Sequence, residues 1–237
     1  MSYAPVIPWN KARSYFVRNW RQSEHFAVLG MNGSGKSYLM NELSAIRFVT
    51  YHGYVAVFIS KPKDNTLDYY TKKLRFKRLA NPAKHDFLNP PRGVIIRPNS
   101  ETLAALRASQ QKQFSVAIDR IWRAGGWAMV LDEIRYLSQF LKMQELVQAL
   151  YTQARSSDIT LISSTQRPRF APLEMYTESR HFAFFHDREK QNLDRISEIA
   201  SHVDKDKLIT DIRALEKYHF LYVNSDNGET FISKVIN

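Results

Sequence analysis

The chain has 237 residues, of which 44% are hydrophobic and 24% charged, an ordinary composition for a globular protein. This length allows one sizeable core and is short for two independent domains. Cysteine is absent, which excludes disulfides and thiolate zinc sites. No apolar run approaches the roughly 18 residues that span a bilayer, and the first residues do not resemble a signal peptide. We therefore expect a cytoplasmic protein without a membrane segment.

The formal net charge of +11 indicates a polyanionic partner. Basic side chains that neutralise phosphates release counterions, which favours binding to nucleic acid. The simpler explanation is that the charge only keeps the protein soluble. Charge alone therefore favours contact with nucleic acid without establishing it.

The predicted elements begin with an amphipathic helix that starts near Asn10. Short apolar runs at residues 25–29 and 54–59 predict buried strands, and the spacing of residues 38–46 predicts a helix between them. Basic residues then predominate from residue 61 to about residue 97, where only residues 94–96 are typical of a strand. The remaining predicted helices cover residues 101–123, 143–155 and a polar stretch through residue 215, and the remaining predicted strands cover residues 127–131, 159–163, 181–185, 220–223 and 230–232.

Alternation of apolar strands with helices predicts an α/β fold with a mostly parallel central sheet flanked by helices. The last two strands flank Asp226, Asn227 and Gly228, which indicates a hairpin. No stretch of the chain has the composition of a linker between domains. We expect a single domain with a helical lead-in over residues 1–24, a core over residues 25–190, and C-terminal helices with the hairpin over residues 191–237.

Residues 30–37 form a complete phosphate-binding loop, or P-loop, between a predicted strand and a predicted helix. Its glycines let the backbone turn successive N–H groups toward phosphate oxygens, and the start of the following helix reinforces them. Lys36 is predicted to reach the β- and γ-phosphates, and the Ser37 hydroxyl to bind Mg²⁺. An ordinary glycine turn is the weaker alternative. The predicted nucleotide-binding residues are Gly30, Asn32, Gly33, Ser34, Gly35, Lys36, Ser37 and Tyr38.

Two acids follow the apolar strand at residues 127–131. Asp132, at the end of a buried strand, is the carboxylate that a nucleotide-bound Mg²⁺ requires. Glu133 is then placed to act as the general base that polarises an attacking water. An apolar strand followed by two acids is common, so the prediction depends on its combination with the P-loop. Adjacent acids favour hydrolysis by water over transfer to a bound acceptor.

A polar segment ends the strand predicted at residues 159–163, beside the strand that carries the acids. Gln166 in this segment is a candidate to hydrogen-bond the attacking water or to sense loss of the γ-phosphate. Pro168 allows the alternative that the segment is only a turn. From the residues alone the two interpretations are equally favoured.

Together these motifs resemble the FtsK/HerA superfamily of DNA-pumping P-loop ATPases, which have the RecA-like (ASCE) fold. The shared features are the glycine loop, the Asp–Glu pair after an apolar strand, and the Thr165 to Pro168 segment at the next strand end. The resemblance covers roughly residues 25–190 and includes the passage at residues 153–161. It implies that Arg155 in this passage reaches into the nucleotide site of a neighbouring subunit. Arg135 and Arg167 compete for that role.

The resemblance also implies a role. Cell-division translocases of this superfamily carry membrane segments and a winged-helix DNA reader, and HerA-type proteins carry an added barrel domain, none of which this sequence matches. A short motor of this kind resembles the genome-packaging ATPases of double-stranded DNA viruses and phages. This implies ATP and Mg²⁺ as cofactors, a homo-oligomeric ring that is a hexamer or pentamer, a capsid portal or vertex as partner, and association with the virion.

The candidate DNA surface is the basic stretch after the second strand, where phosphate contacts would give grip without reading sequence. The predicted contacts are Lys61, Lys63, Lys72, Lys73 and Arg75, with Tyr69, Tyr70 and Phe76 interleaved. A charged solvated loop is the alternative for each of these residues. The long helix with Arg107, Lys112 and Arg120 is instead a candidate subunit interface.

Three other functions remain open from the sequence. A membrane-associated phage-assembly or conjugation-type ATPase belongs to a related group, but such proteins usually carry a membrane segment. A nucleotide kinase would need an arginine-rich lid and an acceptor pocket, whereas the Asp132–Glu133 pair and Gln166 favour water as the acceptor. A non-catalytic, nucleotide-dependent DNA-binding module is the third.

Overall fold

The computed structural model describes residues 3–61, 66–79, 81–87, 89–98, 102–199 and 203–235. The strands are β1 (His25–Leu29), β2 (Tyr54–Phe58), β3 (Lys77–Leu79), β4 (Gly93–Ile96), β5 (Trp127–Leu131), β6 (Thr160–Thr165), β7 (Ser179–Phe185), β8 (His219–Asn224) and β9 (Thr230–Lys234). The helices are α1 (Trp9–Asn19), α2 (Lys36–Ala45), α3 (Leu103–Ala124), α4 (Gln144–Gln153), α5 (Leu173–Thr177), α6 (Lys190–Ile199) and α7 (Lys205–Ala214). No helix within these ranges is both long and apolar enough to cross a bilayer.

The described strands form one nine-stranded sheet in the order β3-β4-β2-β5-β6-β1-β7-β8-β9. Pairing is parallel from β3 through β7 and antiparallel from β7 to β8 and from β8 to β9. This confirms the predicted α/β fold with a mostly parallel sheet, and the predicted hairpin is β8–β9. The hairpin extends the same sheet, so the strands from residue 25 to residue 234 share one framework.

Helices cover both faces of this sheet, which explains why its central strands are buried throughout. Every residue of β1 and of β5 is buried. In β1, Phe26 and Val28 face the core under α1 and α2, while Ala27 and Leu29 face the core under α3, α4 and α7. The two-residue period of the strand therefore supplies both cores at once.

The N-terminal helix α1 packs into the core that Phe26 and Val28 share with α2. Phe16 of α1 is fully buried, and its ring centroid lies 5.5 Å from that of Phe26 and 5.2 Å from that of Tyr222. Val6 forms a parallel bridge with Ile232 of β9. Residues on both sides of the predicted 25–190 core thus pack into a single structure.

The basic stretch contains more structure than its sequence predicts. It includes β3, a wide helical turn at Tyr69–Lys73 and a short turn at Pro82–Lys84. Tyr70 and Phe76, expected among the surface lysines, are instead buried at 2% and 5% exposure. The Phe76 ring packs against Gly93, where a Cβ atom would lie 2.3 Å from it. These aromatic rings fill the core under the edge of the sheet, so they offer no stacking surface for DNA bases.

Candidate active site

The P-loop connects β1 to α2 in a conformation that demands glycine. Gly30 has φ +154° and Gly35, directly before α2, has φ +115°. A Cβ atom on Gly30 would lie 2.5 Å from the Cβ atom of Phe185 in the neighbouring strand β7. Only a residue without a side chain allows the loop to pack this closely on the sheet. The free N–H groups at the start of α2 then favour an anion beside the loop.

Lys36 lies within this loop, and its side chain is nearly buried. Its Nζ donates hydrogen bonds to the carbonyl oxygens of Gly30, at 2.6 Å, and Met31, at 2.7 Å. Burial lowers the pKa of Lys36 to about 8, although the charges of Asp132 and Glu133 oppose this shift. The ammonium is thus held at the mouth of the loop and is electrostatically coupled to both acids.

The order of the strands brings the loop and the acids to one edge of the sheet. Strand β6 pairs with both β1 and β5, placing Thr165 beside Leu29 and Ser163 beside Leu131. Because parallel strands end at the same edge, the residues that follow β1, β5 and β6 lie close together. An additional strand between the strand of the P-loop and the strand of the acids is the arrangement expected for the ASCE class.

Asp132 is held by two side chains. Ser164 Oγ donates to Oδ1 at 2.7 Å, and Lys61 Nζ donates to Oδ2 at 2.6 Å. Burial raises the pKa of Asp132, but the Lys61 ammonium and these hydrogen bonds outweigh burial and lower it below its ordinary value. Asp132 is therefore an ionised carboxylate that already accommodates a cation.

The residues present fit a magnesium site. Ser37 and Asp132 both line a cavity of about 20 Å³, which is roughly the space that one water needs. A hydroxyl and a carboxylate supply the hard oxygen ligands that Mg²⁺ prefers. Within the described ranges no group of three or more His, Cys, Asp or Glu side chains could hold a metal. Mg²⁺ does not need such a group, because it uses few protein ligands together with substrate phosphates.

Glu133 adopts an unusual backbone conformation beside Asp132. Its φ of +56° lies in the left-handed region, which costs energy for a residue other than glycine and recurs at functional sites. Its N–H donates to Ser164 Oγ at 3.1 Å, and its carboxylate accepts from the Gln166 N–H at 3.1 Å and from Thr165 Oγ1 at 3.4 Å. Burial raises the pKa of Glu133, which makes its carboxylate a better proton acceptor.

The structure therefore places Gln166 next to Glu133 through its backbone, and the Gln166 side chain is half-buried. Ser164 is a residue that the sequence analysis missed, although its single hydroxyl contacts both acids. The available signal was the sequence Ser163, Ser164, Thr165 at the end of a strand whose residues are all buried. Buried hydroxyls need partners: those of Ser164 and Thr165 donate to the acids, and that of Ser163 accepts from Tyr151.

The candidate arginines occupy different places. Arg155 is exposed in the short turn Ala154–Ser157 before β6, which puts it at the opposite edge of the sheet from the P-loop. The six residues of β6 separate it from its own site by about 20 Å at roughly 3.3 Å per residue. Arg135 stacks over the Phe170 ring at 4.4 Å, and Arg167 is exposed beside Gln166. Arg155 therefore does not reach the nucleotide site of its own chain.

The predicted DNA contacts also lie in different environments. Lys61 lies against Asp132, and Lys63 is outside the described residues. Lys72 forms an exposed ion pair with Asp68 at 2.8 Å, and Lys73 Nζ lies 4.8 Å from the centre of the Tyr69 ring. Arg75 is exposed. Three cations of the predicted set, Lys72, Lys73 and Arg75, are thus exposed.

Comparison with known proteins identifies the fold. No protein-family model matches the sequence, and no curated protein matches it. The genome packaging NTPase B204 from Sulfolobus turreted icosahedral virus 2 is 18% identical and matches with a TM-score of 0.67 over 92% of this chain and 98% of that chain. The bacterial conjugative coupling protein TrwB is 10% identical and matches with a TM-score of 0.57 over 98% of this chain and 93% of that chain.

A third solved structure, the cytoplasmic domain of the Thermomonospora curvata type VII secretion ATPase EccC, is 16% identical, with a TM-score of 0.56 over 94% of this chain and 24% of that chain. The chain has the fold of the P-loop ATPases of the ASCE class. The solved structures that it resembles are a viral packaging NTPase and ATPases of the FtsK/HerA type, the group that its motifs resemble.

Proposed function

We propose that this protein is an ATP hydrolase that moves double-stranded DNA without regard to sequence, acting as a ring that packages a viral genome. The observation that carries the proposal is the junction of β1, β5 and β6, where Lys36, Ser37, Asp132 and Glu133 meet. The fold supports it, since B204 is described as a DNA-packaging ATPase and has been solved with AMPPCP and with ATP-γS.

Each residue of the junction has a chemical task in this proposal. The loop N–H groups and Lys36 bind the phosphates, and Ser37 and Asp132 hold Mg²⁺, which neutralises phosphate charge when bound. Glu133 accepts a proton from the attacking water, and its raised pKa suits that task. Ser164 orients both carboxylates, and the Gln166 side chain orients the water.

In the ring, a neighbouring subunit supplies positive charge to the γ-phosphate. Arg155 of one subunit completes the site of the next, because a guanidinium neutralises charge that develops on the γ-phosphate. A net charge of +11 per chain, repeated in a hexamer or pentamer, surrounds DNA with cations. Lys72, Lys73 and Arg75 contribute phosphate contacts. The partner would be a capsid portal or vertex, and the protein would act in the host cytoplasm and associate with the virion.

The test is ATP hydrolysis measured with and without double-stranded DNA at low salt, using duplexes of unrelated sequence. We expect every duplex to raise the rate by a similar factor. Glu133→Gln should abolish turnover while leaving nucleotide binding intact, which controls for loss of folding. A rate that ignores DNA, or that depends on its sequence, would contradict the proposal.

A conjugation-type or phage-assembly ATPase is the second candidate, favoured by the likeness to TrwB. Such a protein works at a membrane. Flotation of the expressed protein with membranes from cell extracts would support this candidate, whereas recovery with DNA in the unbound fraction would support the packaging motor.

A further inference from the structure

Lys61 follows β2 and contacts the candidate metal ligand Asp132. The two residues come together because β2 and β5 are neighbours in the sheet, with Phe58 beside Leu131, and both strands end at the edge where the P-loop lies. The Nζ atom of Lys61 lies 2.6 Å from Oδ2 of Asp132. The ammonium of Lys61 therefore lies within the candidate active site.

A buried glutamine fixes the backbone from which Lys61 extends. Gln110 of α3 is 1% exposed. Its Nε2 donates to the carbonyl oxygen of Ser60 at 2.6 Å, and its Oε1 accepts from the Tyr136 hydroxyl at 2.8 Å. Tyr136 lies in the turn after the two acids, where its N–H donates to the carbonyl oxygen of Glu133. The segments that carry the two partners of the ion pair are thus bound to the same helix.

The two carboxylate oxygens of Asp132 have different partners. Oδ1 accepts from the Ser164 hydroxyl, which also accepts from the N–H of Glu133, and Oδ2 accepts from Lys61. A hydroxyl can remain beside a carboxylate that binds a metal, whereas an ammonium and a divalent cation on one carboxylate oxygen repel each other. The contact with Lys61 is therefore the one that a metal ion on Asp132 would break.

We propose that the Lys61 ammonium takes the place of the metal on Asp132 and leaves this carboxylate when Mg²⁺ arrives with the nucleotide. This inference rests on the proposed nucleotide-binding function and adds a residue that regulates it. The Lys61 side chain is 44% exposed, so the ammonium can move into water when it is released. While it is paired, Lys61 neutralises a carboxylate that would otherwise repel phosphates. The ion pair therefore makes nucleotide binding less dependent on the metal.

The test measures AMPPCP binding by calorimetry with Mg²⁺ and with EDTA, and the ratio of the two affinities is the Mg²⁺ factor. Lys61→Gln removes the ammonium partner of Asp132. Without metal, the carboxylate should then repel the phosphates and weaken binding, whereas with metal no ion pair has to be broken. The Mg²⁺ factor should therefore rise about fivefold, the upper end for a partly exposed ion pair. Lys61→Arg keeps a cation, and its Mg²⁺ factor should stay near the wild-type value.

Two further variants show whether the effect depends on Asp132. In protein that carries Asp132→Asn, Lys61→Gln should leave the Mg²⁺ factor unchanged, because the amide has no charge for Lys61 to neutralise. Arg123→Gln is the matched control, because Arg123 forms an exposed ion pair with Asp119 at 2.9 Å near the end of α3. It should not change the Mg²⁺ factor.

A Mg²⁺ factor that does not rise in Lys61→Gln would overturn the inference. Equal losses of affinity with Mg²⁺ and with EDTA would show instead that Lys61 binds phosphate directly. Failure of the wild-type protein to bind AMPPCP in either condition would overturn the proposed function as well. Thermal unfolding shows whether each variant is folded, and Lys61→Met provides the same test if Lys61→Gln is not.

Discussion

A single hydroxyl joins the two acids of the candidate site. Ser164 Oγ donates to Asp132 and accepts from the N–H of Glu133, so it sets the position of both. Ser164→Ala removes both bonds without adding bulk. We expect kcat for ATP to fall about tenfold to a hundredfold, as when a residue that orients a metal ligand is lost, while KM changes little. Steady-state kinetics measures both quantities.

The matched control is Ser156→Ala, because Ser156 is exposed and its hydroxyl donates to the backbone carbonyl of Gln153. Its kinetics should equal those of the wild type. If Ser164→Ala retained the full kcat, the hydroxyl would have no role in positioning the acids.

The pKa of Lys36 predicts how nucleotide binding depends on pH. In the proposed function the ammonium of Lys36 binds phosphate, and burial lowers the pKa of this group from 10.5 to about 8. Affinity for AMPPCP should therefore be highest well below pH 8, and it should fall by up to about tenfold per pH unit above pH 8. Lys36→Arg should give a flat profile over the same range, because arginine stays charged. Binding titrations from pH 7 to about 9.5 provide the measurement, and identical slopes for the two proteins would refute the prediction.

The lowered pKa of Lys36 has the opposite effect on the free energy of unfolding. Between pH 8 and pH 10.5 the unfolded chain binds more protons at this lysine than the folded chain does. The contribution of Lys36 to stability therefore rises with pH across that window. Affinity for phosphate falls over the same window, so the two effects can be separated.

At the scale of elements, the contact between the P-loop and β7 depends on Gly30. Gly30→Ala would add a Cβ atom 2.5 Å from that of Phe185, and relief of this overlap must move the loop or the strand. We expect the free energy of unfolding to fall by about 1–3 kcal/mol, the usual cost of overpacking. Chemical denaturation measures the change.

Gly126→Ala is the control for backbone strain. Gly126 also has positive φ, at +74°, but a Cβ atom there meets nothing within 4 Å. The loss of stability should therefore be larger for Gly30→Ala. Equal losses would show that the contact with Phe185 carries no cost.

The elements that sequence periodicity predicted correctly are the buried central strands, because continuous apolar runs are typical of strands covered on both faces. The secondary structure of residues 61–97 was harder to predict. Its lysines and arginines dominate the composition, but Lys77 and Arg78 lie exposed on β3 at the edge of the sheet, where charge discourages pairing with other chains. Part of the basic excess thus has a structural explanation that composition alone does not reveal.

At the scale of the whole molecule, Arg155 lies far from the P-loop of its own chain. Mixing two inactive variants can therefore test whether subunits of a ring share their sites. Mixed rings of Lys36→Ala and Arg155→Ala subunits should regain activity although each variant alone has little. A subunit with intact Lys36 can then receive Arg155 from its neighbour. Random mixing in equal amounts should restore about a quarter of the wild-type ATPase rate in a head-to-tail ring.

The same mixture prepared with Arg135→Ala or Arg167→Ala in place of Arg155→Ala tests the competing residues. If ATPase activity recovers with Arg135→Ala or Arg167→Ala but not with Arg155→Ala, the arginine replaced in the active mixture is the one that enters the neighbouring site. No recovery with any of the three would mean that the site is complete within one subunit.

The sequence by itself was enough to predict the candidate site at the ends of the strands. The glycine loop, Lys36 and Ser37, and the Asp132–Glu133 pair are local patterns whose function depends on a strand ending in a polar residue. The α/β fold was predicted from short apolar runs that alternate with helical segments. Strands covered by helices on both faces are apolar along their length, so such runs are visible in the sequence.

Only the tertiary structure decided which residues surround those groups. Three features join segments that are distant along the chain. They are the contacts of Ser164 and Lys61 with Asp132, the burial of Tyr70 and Phe76, and a cleft between the P-loop and residues 215–217. Such contacts arise from the order of strands in the sheet, and no local period of the sequence encodes that order. The candidate phosphate site could therefore be predicted from local sequence patterns, whereas the residues around it were visible only in the folded chain, because the strand order brings them together.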